Sequence, residues 1–119
     1  MMKTTRKDIL ELCKKWQKEL RVDIKRIQIR KMKNKWGSYS SKGVLTINKE
    51  LLALPSKYAE YVIVHELLHS IVPNHGRTFK TLLYVYLPNW EKLHEYLKHH
   101  EKGNRSNAHC SGLQYESSE

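Results

Sequence analysis

Ile9, Leu12, Trp16 and Leu20 recur at spacings of three and four, with lysines between them. That periodicity gathers the apolar side chains on one face and predicts an amphipathic helix over residues 5–20. The period then changes. Val22, Ile24, Ile27, Gln28 and Ile29 are rich in branched side chains and predict a strand, with Asp23 to Arg26 as a turn or bulge. Two further extended segments, Trp36 to Ser40 and Val44 to Asn48, flank the turn-forming Ser41-Lys42-Gly43 and together predict a hairpin. Leu51, Leu52 and Leu54 follow, and Pro55-Ser56 announces a helix with Ser56 as its capping residue.

Over residues 57–71 the pattern is apolar on nearly every side: Tyr58, Tyr61, Val62, Ile63, Val64, Leu67, Leu68 and Ile71. Such a helix belongs at the centre of a fold. Pro73 ends it, because the residue before a proline is steered out of the helical region. Phe79, Leu82, Leu83 and Tyr86 predict another helix, stopped by Pro88, and Trp90, Leu93, Tyr96 and Leu97 a last one with Asn89 as its cap. After Lys98 the apolar content collapses, which predicts one domain over residues 1–98 and a disordered polar tail over 99–119. The 119-residue chain holds no internal repeat and no glycine-rich cofactor loop.

The central helix carries the chemistry. His65-Glu66-Leu67-Leu68-His69 matches H-E-x-x-H. Residues four apart stack on one helical face, so both imidazoles reach one ion, while Glu66 lies about 100° round the helix and faces the open side. A catalytic zinc takes three protein ligands and a water. Pro73-Asn74 turns the chain so that His75, six residues beyond His69, folds back as the third. A glutamate and two histidines inside an otherwise apolar helix cost several kcal/mol unless something compensates, and zinc with a cavity water is that compensation. The expected reaction is hydrolysis, with the zinc activating a water and Glu66 as its general base. Tyr39, Tyr84, Tyr86 and His94 are all candidates to stabilise charge on the carbonyl oxygen, and the sequence does not choose among them. The segment around Trp36 to Ser40 offers an edge for an extended peptide, with Gly37 allowing close backbone approach; equally, Trp36 packs the core and Gly37 forms a bulge.

Composition adds two constraints. Lysine and arginine exceed acidic residues by 22 to 12, a formal charge of +10. Much of the excess lies between Lys3 and Lys35, including Lys14, Lys15, Lys18, Arg21, Lys25, Arg26, Arg30, Lys31, Lys33 and Lys35. Such a field attracts nucleic acid, acidic proteins or anionic lipid without choosing between them, or is simply a solvated surface; weak, sequence-independent nucleic-acid binding is the expectation. Cys13 and Cys110 lack any partner spacing and read as reduced thiols, and no run approaches the roughly 20 apolar residues of a membrane span. Both point to a cytoplasmic protein with no membrane association.

Several segments, taken in order, resemble the YgjP-like metallopeptidase family. They are Lys35-Trp36-Gly37-Ser38-Tyr39-Ser40, Ser41-Lys42-Gly43 with the strand to Asn48, Tyr61 through His69, and Pro73-Asn74-His75 with Phe79. This group of small zincins is related to the SprT-like and WLM proteases, and the resemblance covers roughly residues 20 to 97. It implies an α+β minimal zincin: a small twisted sheet packed on an N-terminal helix and an active-site helix, with helices behind. It also implies metal positions at His65, His69 and His75, the catalytic glutamate at Glu66, and a substrate-binding strand at Trp36, Gly37, Ser38 and Tyr39. Tyr39 stands where relatives usually carry cysteine, and Leu68 where they often carry a smaller residue. The leading function is therefore a zinc-dependent peptidase. A basic nucleic-acid-associated module with a structural metal is the alternative, and a hydrolase of small amides a third.

Overall fold

The structure is a computed structural model that describes residues 3–72 and 76–102, with side chains through residue 99. Helix α1 (Arg6–Leu20) begins where a capping box fixes it: the Asp8 amide donates to Thr5 Oγ1 at 3.1 Å, and the Thr5 amide to Asp8 Oδ2 at 3.0 Å. Ile9, Cys13, Trp16 and Leu20 form its buried face, as the spacing requires. Arg21 ends the helix in the left-handed region at φ 56°. The strand anticipated from Val22 starts later, as β1 (Arg26–Arg30). The preceding residues are held by Gln17 instead, whose carbonyl accepts from the Val22 amide and whose side chain accepts from the Ile24 amide.

Strands β2 (Gly37–Tyr39) and β3 (Val44–Asn48) form the expected antiparallel hairpin, with Ser38 opposite Thr46. Gly43 makes its turn at φ +87°, a region that costs a side-chain-bearing residue dearly. β1 joins β3 in parallel, giving the sheet order β1-β3-β2 and leaving β2 on the outside. A short 3₁₀ turn over Lys49–Ala53, which the leucine pattern did not reveal, brings the chain to α2 (Ser56–His69). There Pro55 occupies the capping position and Ser56 is the first helical residue, so the expected serine cap is absent. Helices α3 (Arg77–Tyr86) and α4 (Trp90–Lys102) complete the order. α4 runs four residues past Lys98, since no helix breaker precedes Gly103. This is the α+β architecture of a minimal zincin, with α2 packed between α1, the sheet and the last two helices.

Polar contacts fix α2 laterally. Trp16 Nε1 donates to Glu60 Oε2 at 2.8 Å, and Lys15 pairs with the same oxygen at 3.2 Å, which ties the middle of α1 to the second turn of α2. On the other side the hairpin approaches so closely that a Cβ on Gly37 would lie 2.7 Å from Val62 Cγ1, 3.1 Å from the Thr46 carbonyl oxygen and 3.5 Å from Glu66 Cγ. Trp36 beside it is buried in the core. The missing side chain at Gly37 thus serves the contact between β2 and α2.

Gly37→Ala is expected to destabilise the protein by about 1–3 kcal/mol through overpacking. Val62→Ala in the same chain should return part of that loss, because it removes the closest clash. Urea denaturation of the two single variants and the double variant measures the coupling, and strict additivity would show that the two residues do not press on each other.

Candidate metal centre

Helix α2 is continuous from Ser56 to His69, with neither glycine nor proline inside it. It closes at Ser70, whose amide meets the Leu67 carbonyl, while the Val72 amide reaches that of Leu68. Every residue from Tyr61 to Leu68 is buried, so the helix carries His65 and Glu66 into the interior at 3% and 6% exposure. His69, one turn on, is half-buried and looks toward an opening.

The helical spacing brings the two imidazoles together as expected, with ring centroids 5.1 Å apart. One ligand atom from each of His65, Glu66 and His69 lies within 4.8 Å of the others. This cluster can hold a metal ion, with the two imidazoles as nitrogen donors and the Glu66 carboxyl beside them. Phe79, buried on α3, packs against both rings at 5.3 Å and restrains how they turn. Sequence periodicity marks Phe79 only as a core residue; its place against both histidines needs the tertiary fold.

Electrostatics follow from burial. Desolvation lowers the pKa of His65 to about 3, and desolvation raises that of Glu66 to about 8, with His69 and Lys35 opposing the rise. Glu66 Oε2 lies 3.3 Å from His65 Nδ1. The spacing resembles an ion pair, yet burial drives each partner toward its neutral form, so in metal-free protein near neutrality the contact is a hydrogen bond. His69 is also shifted down, by burial first, with Glu66 opposing.

The remaining expected site residues are distributed unevenly. His75 lies outside the described residues. Tyr39 and Ser41 from the hairpin, Arg21 and Val22 after α1, and His69 and Ile71 at the end of α2 line an open cleft of about 570 Å³. Ser38 sits between Gly37 and Tyr39 on β2, half-buried. Tyr39 shares this cleft with His69, and its hydroxyl donates to the Asp23 carbonyl at 3.3 Å. Tyr84 lines a different cleft, between α3 and α4, and Tyr86 meets the Trp16 ring edge-on. His94 Nδ1 is 3.0 Å from the hydroxyl of Tyr61, whose ring in turn lies 5.6 Å from that of His65. That polar pair joins α4 to α2 beside His65, and no sequence spacing signals it.

The model of the YgjP-like metallopeptidase domain matches residues 1–100. Among solved structures, the metallopeptidase zymogen jannalysin of Methanocaldococcus jannaschii is similar, with 27% identity and a TM-score of 0.68 over 77% of this chain and 95% of that one. The metallopeptidase zymogen abylysin of Pyrococcus abyssi shares the fold, with 19% identity and a TM-score of 0.65 over 75% of this chain and 90% of that one. No curated protein matches the chain.

The pKa shifts set a pH dependence for protein stripped of metal by a chelator. Glu66 at about 8 holds a proton that the unfolded chain releases near 4.5, so its contribution to stability is full below 4.5 and lost as pH rises through 8. His65 at about 3 and His94 at about 4 lie below 6.5, so the stability they govern rises with pH and is complete above 6.5. Between pH 6.5 and 8 the Glu66 loss outweighs the last of the histidine gain, so stability should fall with rising pH, by roughly 1 kcal/mol or less. Denaturant titrations across that window check this, with Glu66→Gln expected to flatten the slope.

Proposed function

The chain belongs to the YgjP-like metallopeptidase family, and on that footing we propose that it is a zinc-dependent peptidase with Glu66 as general base. The observation that supports this reading best is the His65, Glu66 and His69 cluster on one helix, its first two members buried, beside an outer strand and an open cleft. His65, His69 and His75 would hold the zinc. When bound, it supplies the Lewis acidity that polarises a peptide carbonyl and acidifies the attacking water.

The protein's own groups do the rest. An extended peptide adds along the outer edge of β2, with Trp36, Gly37, Ser38 and Tyr39 as its backbone rail. Gly37 stands against Glu66, so a peptide on that rail passes the carboxylate. Glu66 takes a proton from the attacking water and passes it to the leaving amine nitrogen, which returns the carboxylate to its starting state. Such a base needs a pKa near the working pH; burial raises that of Glu66 while the charges of Lys35 and His69 pull it back. Phe79 keeps bulk water from the inner side of both imidazoles.

Among the described residues no helix is long and apolar enough to cross a membrane. Cys13 is a buried free thiol, its pKa pushed up to about 12 by desolvation, and suits a reducing, cytoplasmic setting.

Glu66→Gln separates catalysis from metal holding. Glutamine keeps the size but takes no proton at neutral pH, so zinc content should be retained while peptide cleavage falls roughly 100-fold to 10,000-fold. Activity surviving undiminished would remove Glu66 as the base. His75→Ala should weaken zinc affinity and leave the helical content intact, as read by metal analysis and circular dichroism.

A further inference from the structure

The six residues between β1 and β2, Lys31-Met32-Lys33-Asn34-Lys35-Trp36, cross the end of the sheet. One buried side chain fixes this crossing. Asn48 Nδ2 donates to the Met32 carbonyl at 3.1 Å and to the Lys35 carbonyl at 2.8 Å, and its Oδ1 accepts from the Glu50 amide at 2.9 Å. The Asn48 amide also donates to the Trp36 carbonyl at 2.9 Å. A buried asparagine so engaged holds the loop backbone in one place, which a loop that only links two strands does not require.

Lys31, Lys33 and Lys35 are all exposed on this fixed loop, and among the described residues none is in an ion pair. The loop leads straight into Gly37, the residue pressed against α2 beside Glu66. Lys35 stands two residues before Gly37, on the approach to Glu66. The opposite end of β2 is of mixed charge: Asp23 pairs there with Lys25 at 3.3 Å, and Arg21 lines the cleft beside Tyr39.

We infer that the pinned loop of Lys31, Lys33 and Lys35 is a specificity element that favours polypeptides with aspartate or glutamate just beyond the bond to be cut. This rests on the peptidase reading above and names its substrate class. Direction follows from the strand. β2 runs away from the loop, so a peptide pairing antiparallel, the commoner arrangement, runs toward it. The acidic residues therefore lie on the C-terminal side of the scissile bond. An acidic peptide fits better than nucleic acid because the loop offers no stacking platform: Trp36 is buried in the core. Arg26 and Arg30 on β1 extend the positive field, so an oligonucleotide is the right competitor.

Binding is tested on full-length, zinc-loaded Glu66→Gln with fluorescein-labelled peptides, which separates recognition from cutting. Peptides with a Glu-Asp pair after the central bond should bind about threefold to tenfold more tightly than Gln-Asn counterparts, as exposed charge contacts allow. The preference should fade at about 0.5 M salt. It should fall by at least half in Lys31→Ser/Lys33→Ser, with Lys35 carrying the remainder, and thermal unfolding and affinity for the neutral peptide should stay as in the parent. Equal binding of acidic and neutral peptides, no binding of either, a preference for acid before the bond, or displacement by a single-stranded oligonucleotide that binds more tightly would each overturn the inference. An intact acidic preference while the zinc-loaded parent, with Glu66 in place, cuts neither peptide would instead count against the proposed activity.

Discussion

A carboxyl group and two imidazoles carried into an apolar interior lose their hydration, and the rest of this fold is arranged round that loss. α2 could bury its entire middle as hydrocarbon, and at Val62, Ile63, Val64, Leu67 and Leu68 it does. At His65 and Glu66 it does not, although both are nearly as inaccessible as their neighbours. Burial pushes the two in opposite directions, the imidazole down to about 3 and the carboxyl up to about 8. A divalent cation would favour the same neutral imidazole as its ligand and return the neighbouring carboxyl to its charged form. The polar face is thus costly to the bare fold and useful to a metal site, and a small domain retains such a cost where function demands it.

The supporting contacts make sense in the same terms. Glu60 receives Trp16 Nε1 and the Lys15 ammonium, so α2 is held along its length by a charged group at the edge of the core. Gly37 lets β2 come within van der Waals range of α2 beside Glu66, and Phe79 fills the space against both histidines. Each contact limits a different freedom: the sliding of the helix, the distance of the strand, and the rotation of the rings. A metal site needs all three restrained, because its ligands act only within a narrow range of distance.

Local pattern revealed the elements and the chemistry unequally. The amphipathic helix α1, the hairpin turn at Gly43 and the all-round apolar helix α2 were legible because period and turn residues agree with the tertiary outcome, whereas the Thr5–Asp8 capping box was not read. The start of β1 was not, since Gln17 satisfies the backbone of Val22 and Ile24 from a distant helix turn. Nor was the helix start at Pro55, where proline supplies the extended geometry without a side-chain bond. His65, Glu66 and His69 were legible because one helix delivers all three. Phe79 against the imidazoles, the Tyr61–His94 pair and the Asn48 clamp were not, because each joins residues from separate elements and leaves no periodic trace. The reading of β2 as a peptide rail still rests on its outer position in the sheet.

The proposed activity requires a single ion at the face of α2, and diffraction from crystals of the zinc-loaded protein on both sides of the zinc absorption edge would locate that ion directly. One anomalous peak is predicted, about 2.0–2.1 Å from a nitrogen of each of His65, His69 and His75, with the Glu66 carboxylate outside bonding distance and facing the ion's open side. A peak elsewhere, or one at this position closed by four protein ligands with Glu66 among them, would contradict the assignment.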